Sequence, residues 1–407
     1  MLVTDTNGKG AAAKMSQREF IALSACTMML TALGIDIMLP AFAELRLYFH
    51  LAPQSTETAK IISFFFLGQI AQIIFGTLSD RFGRLSILRI GFPLYIIGGV
   101  AAAFSPTLPL MYLARFVAGV GASAVFMTTI AGVRDRFVGN NMAQIMSLIF
   151  SIFLFTPVLA PFLGLAIMKF ASWQMVFLTP PIVAVIVFIW SLRLEESLPK
   201  DKRIPLDFAS ITNSMKKVIT NRIFLRYTTI TTILFTGLSS YVASSEHIIG
   251  EIYHRPSLFA WIFGGMGAVM SLCSYINSHL SSKFGARKSI RFLLTAYTII
   301  SGSLLVVTLA GGDPPNMVFF FAALTCMMAI NLAVEPNSSA LALEPMGEMA
   351  GMGSSVYGTA FFSIGASLGA VISSLLVTTI TPLVIGFFVI GAVALLLAAT
   401  DPRRNIQ

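Results

Sequence analysis

The sequence predicts an all-α membrane protein of twelve transmembrane helices in two pseudo-symmetric six-helix bundles. Three observations predict it: an apolar composition, twelve apolar runs of spanning length, and a loop that recurs half a chain later. Of 407 residues, 56% are hydrophobic and only 11% charged, with a mean hydropathy of +0.83, far outside the range of a soluble domain. Each run approaches the roughly 20 residues with which a helix crosses about 30 Å of hydrocarbon.

Breaking the runs at charge, proline and glycine clusters gives spans at about 20–42, 58–78, 86–104, 108–132, 142–168 and 173–193 in the first half. The second half gives 223–247, 258–280, 290–311, 316–343, 351–379 and 383–399. The polar residues 1–17 lead into a run too long for a signal-peptide core and with no small-residue cleavage site after it, so it reads as a retained first span. Residues 194–222, with Glu195, Glu196, Lys200, Asp201, Lys202, Arg203, Lys216 and Lys217, read as a solvated linker between bundles at 1–193 and 223–407. Within it Ile204, Leu206, Phe208, Ile211 and Met215 can line one side of a surface helix.

An even number of spans puts both termini on one side. That face carries Lys9, Lys14, Arg18, Arg81, Arg84, Arg89, Arg134, Arg136, eight Lys and Arg from Arg193 to Arg226, then Lys283, Arg287, Lys288, Arg291, Arg403 and Arg404. The opposite face carries Arg46, Lys60, Lys169 and Arg255. Twenty-two against four predicts cytoplasmic termini and linker by the positive-inside rule. The formal charge of +9 is thus topogenic and scattered, not the concentrated basic face of a nucleic-acid binder. Cys26, Cys273 and Cys326 all lie in apolar segments and offer neither a disulfide framework nor metal-ligand spacing.

Transporters are often built from duplicated bundles. Ser79-Asp80-Arg81-Phe82-Gly83-Arg84, between the second and third spans, aligns with Ser281-Ser282-Lys283-Phe284-Gly285-Ala286, between the eighth and ninth, at an offset of 202 residues. The second copy lacks the acid and one arginine.

Gly76-Thr-Leu-Ser-Asp80-Arg81-Phe-Gly83-Arg84 resembles the signature loop of the major facilitator superfamily, at the position that family gives it. Arg115, followed by Gly119 and Gly121, resembles the family's second motif, and Pro161 with Gly164 partly resembles the fifth-span motif of antiporters. Asp36-Ile-Met-Leu-Pro40-Ala41 is similar to a first-span stretch of the Bcr/CflA branch of drug:proton antiporters. The resemblance implies the major facilitator fold, alternating access and efflux of varied compounds in exchange for protons. It also implies a bacterial inner-membrane location and a link to antibiotic resistance.

A charged group inside a span is costly and by default faces a cavity or pathway. Asp36 lies about two thirds of the way along the first span. Removal from water favours an uncharged acid, so a carboxyl group there can take a proton from outside and release it inside. The bland alternative is an interfacial carboxylate that caps a helix. Some members of the branch carry a second acid two turns earlier, where this chain has Met28. Arg115 is permanently charged and needs a partner; it either ties backbone carbonyls or, as the resemblance implies, influences the proton-binding acid.

Glu335, deep in the tenth span before Pro336, and Glu246, near the outer end of the seventh, are candidate cavity carboxylates. Glu246 with His247 can equally sit at the interface. Tyr241, Asn331 and Gln69 are further polar cavity candidates. Asp80 can accept at a helix N-terminus or pair with Arg134 or Arg136, and Arg84 can meet Glu344 or Glu348. Such pairs would lock the halves together. Small residues such as Gly98-Gly99, Gly119-Val-Gly121 and Gly351-Met-Gly353 suit close helix packing. The 20 methionines and 34 phenylalanines suit a plastic apolar cavity.

Proton-coupled export of lipophilic or cationic compounds is therefore the expected function, by a monomer without cofactor or metal. A dedicated metabolite or siderophore transporter on the same scaffold is the alternative. An enzyme is disfavoured: no His-Glu-x-x-His, Gly-x-Ser-x-Gly or phosphate-binding loop occurs, and His50, His247, His254 and His279 are scattered.

Overall fold

In lipid every backbone N–H and C=O must be satisfied within the protein, so apolar runs of this length fold as helices. A computed structural model describes residues 15–137, 139–203 and 208–401. Lys9, Lys14, Ile204, Leu206, Arg403 and Arg404, and the side chains of Lys202, Phe208, His279, Lys283 and Glu348, lie outside the described residues.

Among the described residues, eleven helical segments are long and apolar enough to cross a membrane, from Gln17–Tyr48 to Thr381–Ala399. The seventh predicted span forms a helix of matching length, Arg222–His247, but is rich in Ser and Thr. Several of its hydroxyls bond within the helix: Thr231 donates to the Tyr227 carbonyl, Thr236 to Thr232, Ser240 to Gly237 and Ser245 to Val242, while the buried hydroxyls of Thr228, Thr232 and Ser244 have no partner among the described residues. Back-bonding of this kind lets a polar sequence remain helical away from water.

The first span runs as Gln17–Asp36, a 3-10 turn at Leu39–Ala41 and a short helix Phe42–Tyr48. The second is Lys60–Gly68 and Gln72–Phe82 around a 3-10 turn. Arg84–Ala103, Leu108–Arg136, Gly139–Phe170 and Trp173–Ser191 complete the first six. Phe259–Phe284, Ala286–Gly311 and Met317–Leu343 follow the seventh. The eleventh is Ala350–Thr359 and Gly365–Ser374 around a π-helical turn, and the twelfth is Thr381–Ala399.

Side chains set several starts. Asn221 accepts from the N–H groups of Ile223 and Phe224, and Asn316 from those of Val318 and Phe319. The Asp313 carboxylate reaches across to the N–H groups of Ile380 and Thr381 and caps the twelfth span.

The same neighbours recur in both halves. First packs with fifth as seventh with eleventh, third with fourth as ninth with tenth, and third with sixth as ninth with twelfth. Glycine permits the closest crossings: a side chain at Gly119 would strike the Phe65 carbonyl of the second span, and one at Gly121 the Tyr95 backbone of the third. The halves meet where the fifth span touches the eighth, the second the eleventh, and the first the seventh. One continuous apolar core links them. The linker helix Phe208–Thr220 turns Ile211, Met215 and Val218 inward and its lysines out, and packs beneath the eleventh span.

Candidate functional site

The helix of the first span ends at Asp36. Pro40 has no N–H to give to the carbonyl four residues earlier, which is that of Asp36, and the chain passes through a 3-10 turn before resuming. Asp36 is 5% exposed and makes no ion pair or hydrogen bond among the described residues. Its neighbours hold the backbone instead. Tyr95 Oη donates to the Leu30 carbonyl at 2.6 Å, and Arg115 Nη2 to the Gly34 carbonyl at 2.7 Å. The guanidinium of Arg115 lies 4.4 Å from the centre of the Phe65 ring, a cation–π contact. Arg115 thus grips the helix two residues before the acid rather than pairing with the carboxylate. Gly164 of the fifth span rests against Ile37 and Pro40, just past the break.

The second half repeats this frame without the charge. Tyr297 stands beside Gly237 as Tyr95 stands beside Gly34. Asn331 of the tenth span donates to the Leu234 carbonyl of the seventh at 2.7 Å, much as Arg115 of the fourth reaches the first. Two residues after Gly237 stands Ser239, where the first half has Asp36. The acid belongs to one half only.

The other cavity candidates do not converge. Asn331 is 3% exposed and tied to the seventh span, and Tyr241 Oη lies 3.2 Å from Met266 Sδ of the eighth, so both fasten neighbouring helices. Glu246 is not an open cavity carboxylate: its oxygens accept from Arg46, which sequence reading had left in an outer loop. Gln69 is hydrogen-bonded to Gln72 within the second span. Glu335 alone combines partial exposure with an inward partner, accepting from Tyr357 Oη at 3.2 Å.

Near these groups the halves meet through phenyl rings. Phe66 of the second span lies 5.3 Å from Phe235 of the seventh and 6.1 Å from Phe362 of the eleventh. Phe126 of the fourth lies 6.2 Å from Phe362. Tyr357 stacks on Phe361, which packs at 4.3 Å against Phe235. Sequence reading missed these positions, because nothing in the pattern separates them from the many phenylalanines facing lipid or core.

The signature loop is wired differently from expectation. Arg84 pairs with Asp80 at 2.5 Å and with Asp135 at 2.8 Å, not with Glu344. Its N–H and that of Leu85 donate to Glu196 of the linker. Glu344 pairs instead with Arg287, which also faces Asp401. Arg81 and Arg134 are exposed and form no ion pair among the described residues. Asp80 reaches the first turn of Ala350–Thr359: one oxygen lies 3.9 Å from where a Cβ on Gly351 would sit. That places negative charge near a helix N-terminus, but no N–H of that helix donates to Asp80 among the described residues; its partner is Arg84. Gly76 lies against Ser355 of the same helix. Gly83 has φ 94° and ψ 159°, and Gly285 has φ 80° and ψ 148°, so the repeat is visible in the backbone.

A family model described as Major Facilitator Superfamily matches residues 24–370. The chain belongs to the major facilitator superfamily. It is 28% identical over 384 residues to a bicyclomycin resistance protein homolog of Haemophilus influenzae, covering 92% of each chain. It is 25% identical over 395 residues to the multidrug resistance protein MdtL of Klebsiella pneumoniae, covering 94% of this chain and 96% of that one. The crystal structure of the human organic anion transporter MFSD10 superposes with a TM-score of 0.72 at 15% identity, covering 94% and 99% of the two chains. Superfamily membership and fold make this a multi-pass membrane transporter, not an enzyme.

Proposed function

We infer that the protein is a proton-coupled exporter of small lipophilic or cationic compounds, working by alternating access. The observation that carries this reading is Asp36, a buried carboxyl group without a counter-ion among the described residues, at a break in the first span. With no fixed cation beside it, a proton is the charge that neutralises it, and a proton can leave again when the site faces the other side. Arg115 and Tyr95 fix the backbone that presents it, and the fifth-span glycine lies against the break. The names of the bacterial relatives, bicyclomycin and multidrug resistance, support export.

Orientation follows the charge count: termini and linker in the cytoplasm of a bacterium, the loop bearing Arg46 outside. Residues 1–193 and 223–407 act as two rocking units joined by 194–222, in a monomer. Protons enter down a membrane potential worth about 2.3 kcal/mol per charge per 100 mV. The substrate leaves through a midplane space lined by phenyl rings, with Glu335 as the counter-ion for cations.

Proton release on adding substrate tests the reading. Purified protein in detergent is titrated with lipophilic cations and neutral antibiotics. Wild type is expected to release protons and Asp36→Asn to release none. Full release by the variant would remove Asp36 from coupling, and no response from wild type to any compound would favour a dedicated metabolite transporter.

A further inference from the structure

The second and eleventh spans cross between the halves, and both lose α-helical regularity where they meet. The 3-10 turn Gln69–Ala71 of one touches the π-helical turn Ala360–Ile364 of the other. Turns of these kinds inside helices often mark functional sites.

Gln69 and Gln72 sit at this crossing, 1% and 0% exposed. Gln72 Nε2 donates to Gln69 Oε1 at 3.0 Å, which leaves Gln69 Nε2 and Gln72 Oε1 without partners. Exchanging N and O in both amides does not change the outcome. Two side-chain amides that share one hydrogen bond always leave over one NH2 group and one carbonyl oxygen. Thr359 Oγ1, at the end of the helix preceding the π turn, is a third buried atom without a partner. Its neighbour Gly358 lies against the Gln72 amide, so the unpaired groups come from both halves. Native interiors seldom leave buried donors and acceptors unpaired. A surplus donor beside a surplus acceptor, with Phe66 one turn away and Phe362 stacked on it, is complementary to a ligand carrying the reverse pair on an apolar body.

We propose that Gln69 and Gln72 form a recognition site for neutral amide-bearing solutes, a secondary lactam or imide whose N–H meets the free carbonyl and whose C=O meets the free NH2. The proposal rests on the exporter reading and deepens it, giving neutral substrates a place separate from Glu335. The 3-10 and π turns supply the local slack by which the crossing opens to admit the ligand.

Full-length protein in liposomes is tested with three probes: an aryl-substituted six-membered secondary lactam, its N-methyl derivative, and tetraphenylphosphonium. Wild type is expected to bind the lactam at least tenfold more tightly than the N-methyl compound. Gln72→Leu, which removes the free carbonyl, should bring that ratio close to one, and Gln69→Leu, which removes the NH2 that both lactams use, should weaken both alike, while phosphonium affinity stays within twofold; Gln72→Met serves as a gentler replacement if leucine prevents folding. No preference in wild type, an unchanged ratio in Gln72→Leu, or equal loss for all three probes overturns the proposal. Phosphonium export driven by a pH gradient is read separately: its absence in wild type would count against the exporter reading, whereas the lactam ratio reports on this site alone.

Discussion

The guanidinium of Arg46 meets the Glu246 carboxylate end-on, with Nη1 2.8 Å from Oε2 and Nη2 2.9 Å from Oε1, and joins the end of the first span to the end of the seventh. Both residues are buried, at 2% and 7% exposure, and Arg46 also reaches Glu251 at 3.2 Å. The pair bridges the two halves on the side opposite the termini, so a state open on that side requires it to part. Breaking a buried pair by removing one charge costs about 3–5 kcal/mol, because the other charge is stranded.

Glu246→Gln is therefore expected to weaken closure of that side by about 3 kcal/mol. Maleimide labelling of Ser245→Cys, in a background lacking Cys26, Cys273 and Cys326, should become at least about tenfold faster. The exchanged pair Arg46→Glu with Glu246→Arg should slow it again. Equal rates in all three proteins would show that other contacts hold this side shut.

Gly164 lies in contact with the break that carries Asp36. Gly164→Val would force its side chain onto the Ile37 carbonyl and Pro40, a cost of about 1–3 kcal/mol for overpacking. Substrate-driven proton release should fall at least tenfold while the protein still purifies as a monodisperse species. Normal release would mean that the contact has no part in coupling.

Gly83 and Gly285 occupy a backbone region open essentially to glycine, where another residue costs about 1–3 kcal/mol. Gly83→Ala should lower the melting temperature, and by less in a background that carries Glu196→Ala. At Gly83 a Cβ would also collide with the Glu196 carboxylate and crowd the Arg203 guanidinium. Equal shifts would assign the whole effect to backbone strain.

Glu335→Gln keeps the shape of the side chain and its bond from Tyr357 but removes the charge. Export of tetraphenylphosphonium is expected to drop about tenfold or more, equivalent to about 1.4 kcal/mol of lost attraction. Export of a neutral lipophilic compound should be unaffected. Equal loss of both would make Glu335 a structural residue.

Much of this was legible in the chain itself. Eleven of the twelve predicted spans follow from length and hydropathy, and the seventh, whose hydroxyls lower its hydropathy, still forms a helix of matching length. The repeat at 202 residues reappears as matching positive-φ glycines and as matching Tyr95–Gly34 and Tyr297–Gly237 contacts. Asp36 could be singled out because an acid in an apolar run is costly wherever it points. Partners were less legible. Arg46 looked like one more outer-loop charge, Asp135 drew no attention beside Arg134 and Arg136, and Arg84 was matched to Glu344 when its partners are Asp80, Asp135 and Glu196.

By itself the sequence determined that this chain spans a membrane as paired sets of helices with one buried acid near a proline break. Those properties depend on composition and local spacing, which a linear string records. Only the tertiary structure decided that Arg46 closes on Glu246, that Arg115 grips Gly34 rather than Asp36, and which phenylalanines meet between the halves. These contacts join residues about 80 to 300 positions apart. Each depends on how helices are rotated and crossed, and side chains with the same hydropathy are interchangeable in the string until packing assigns each one a neighbour.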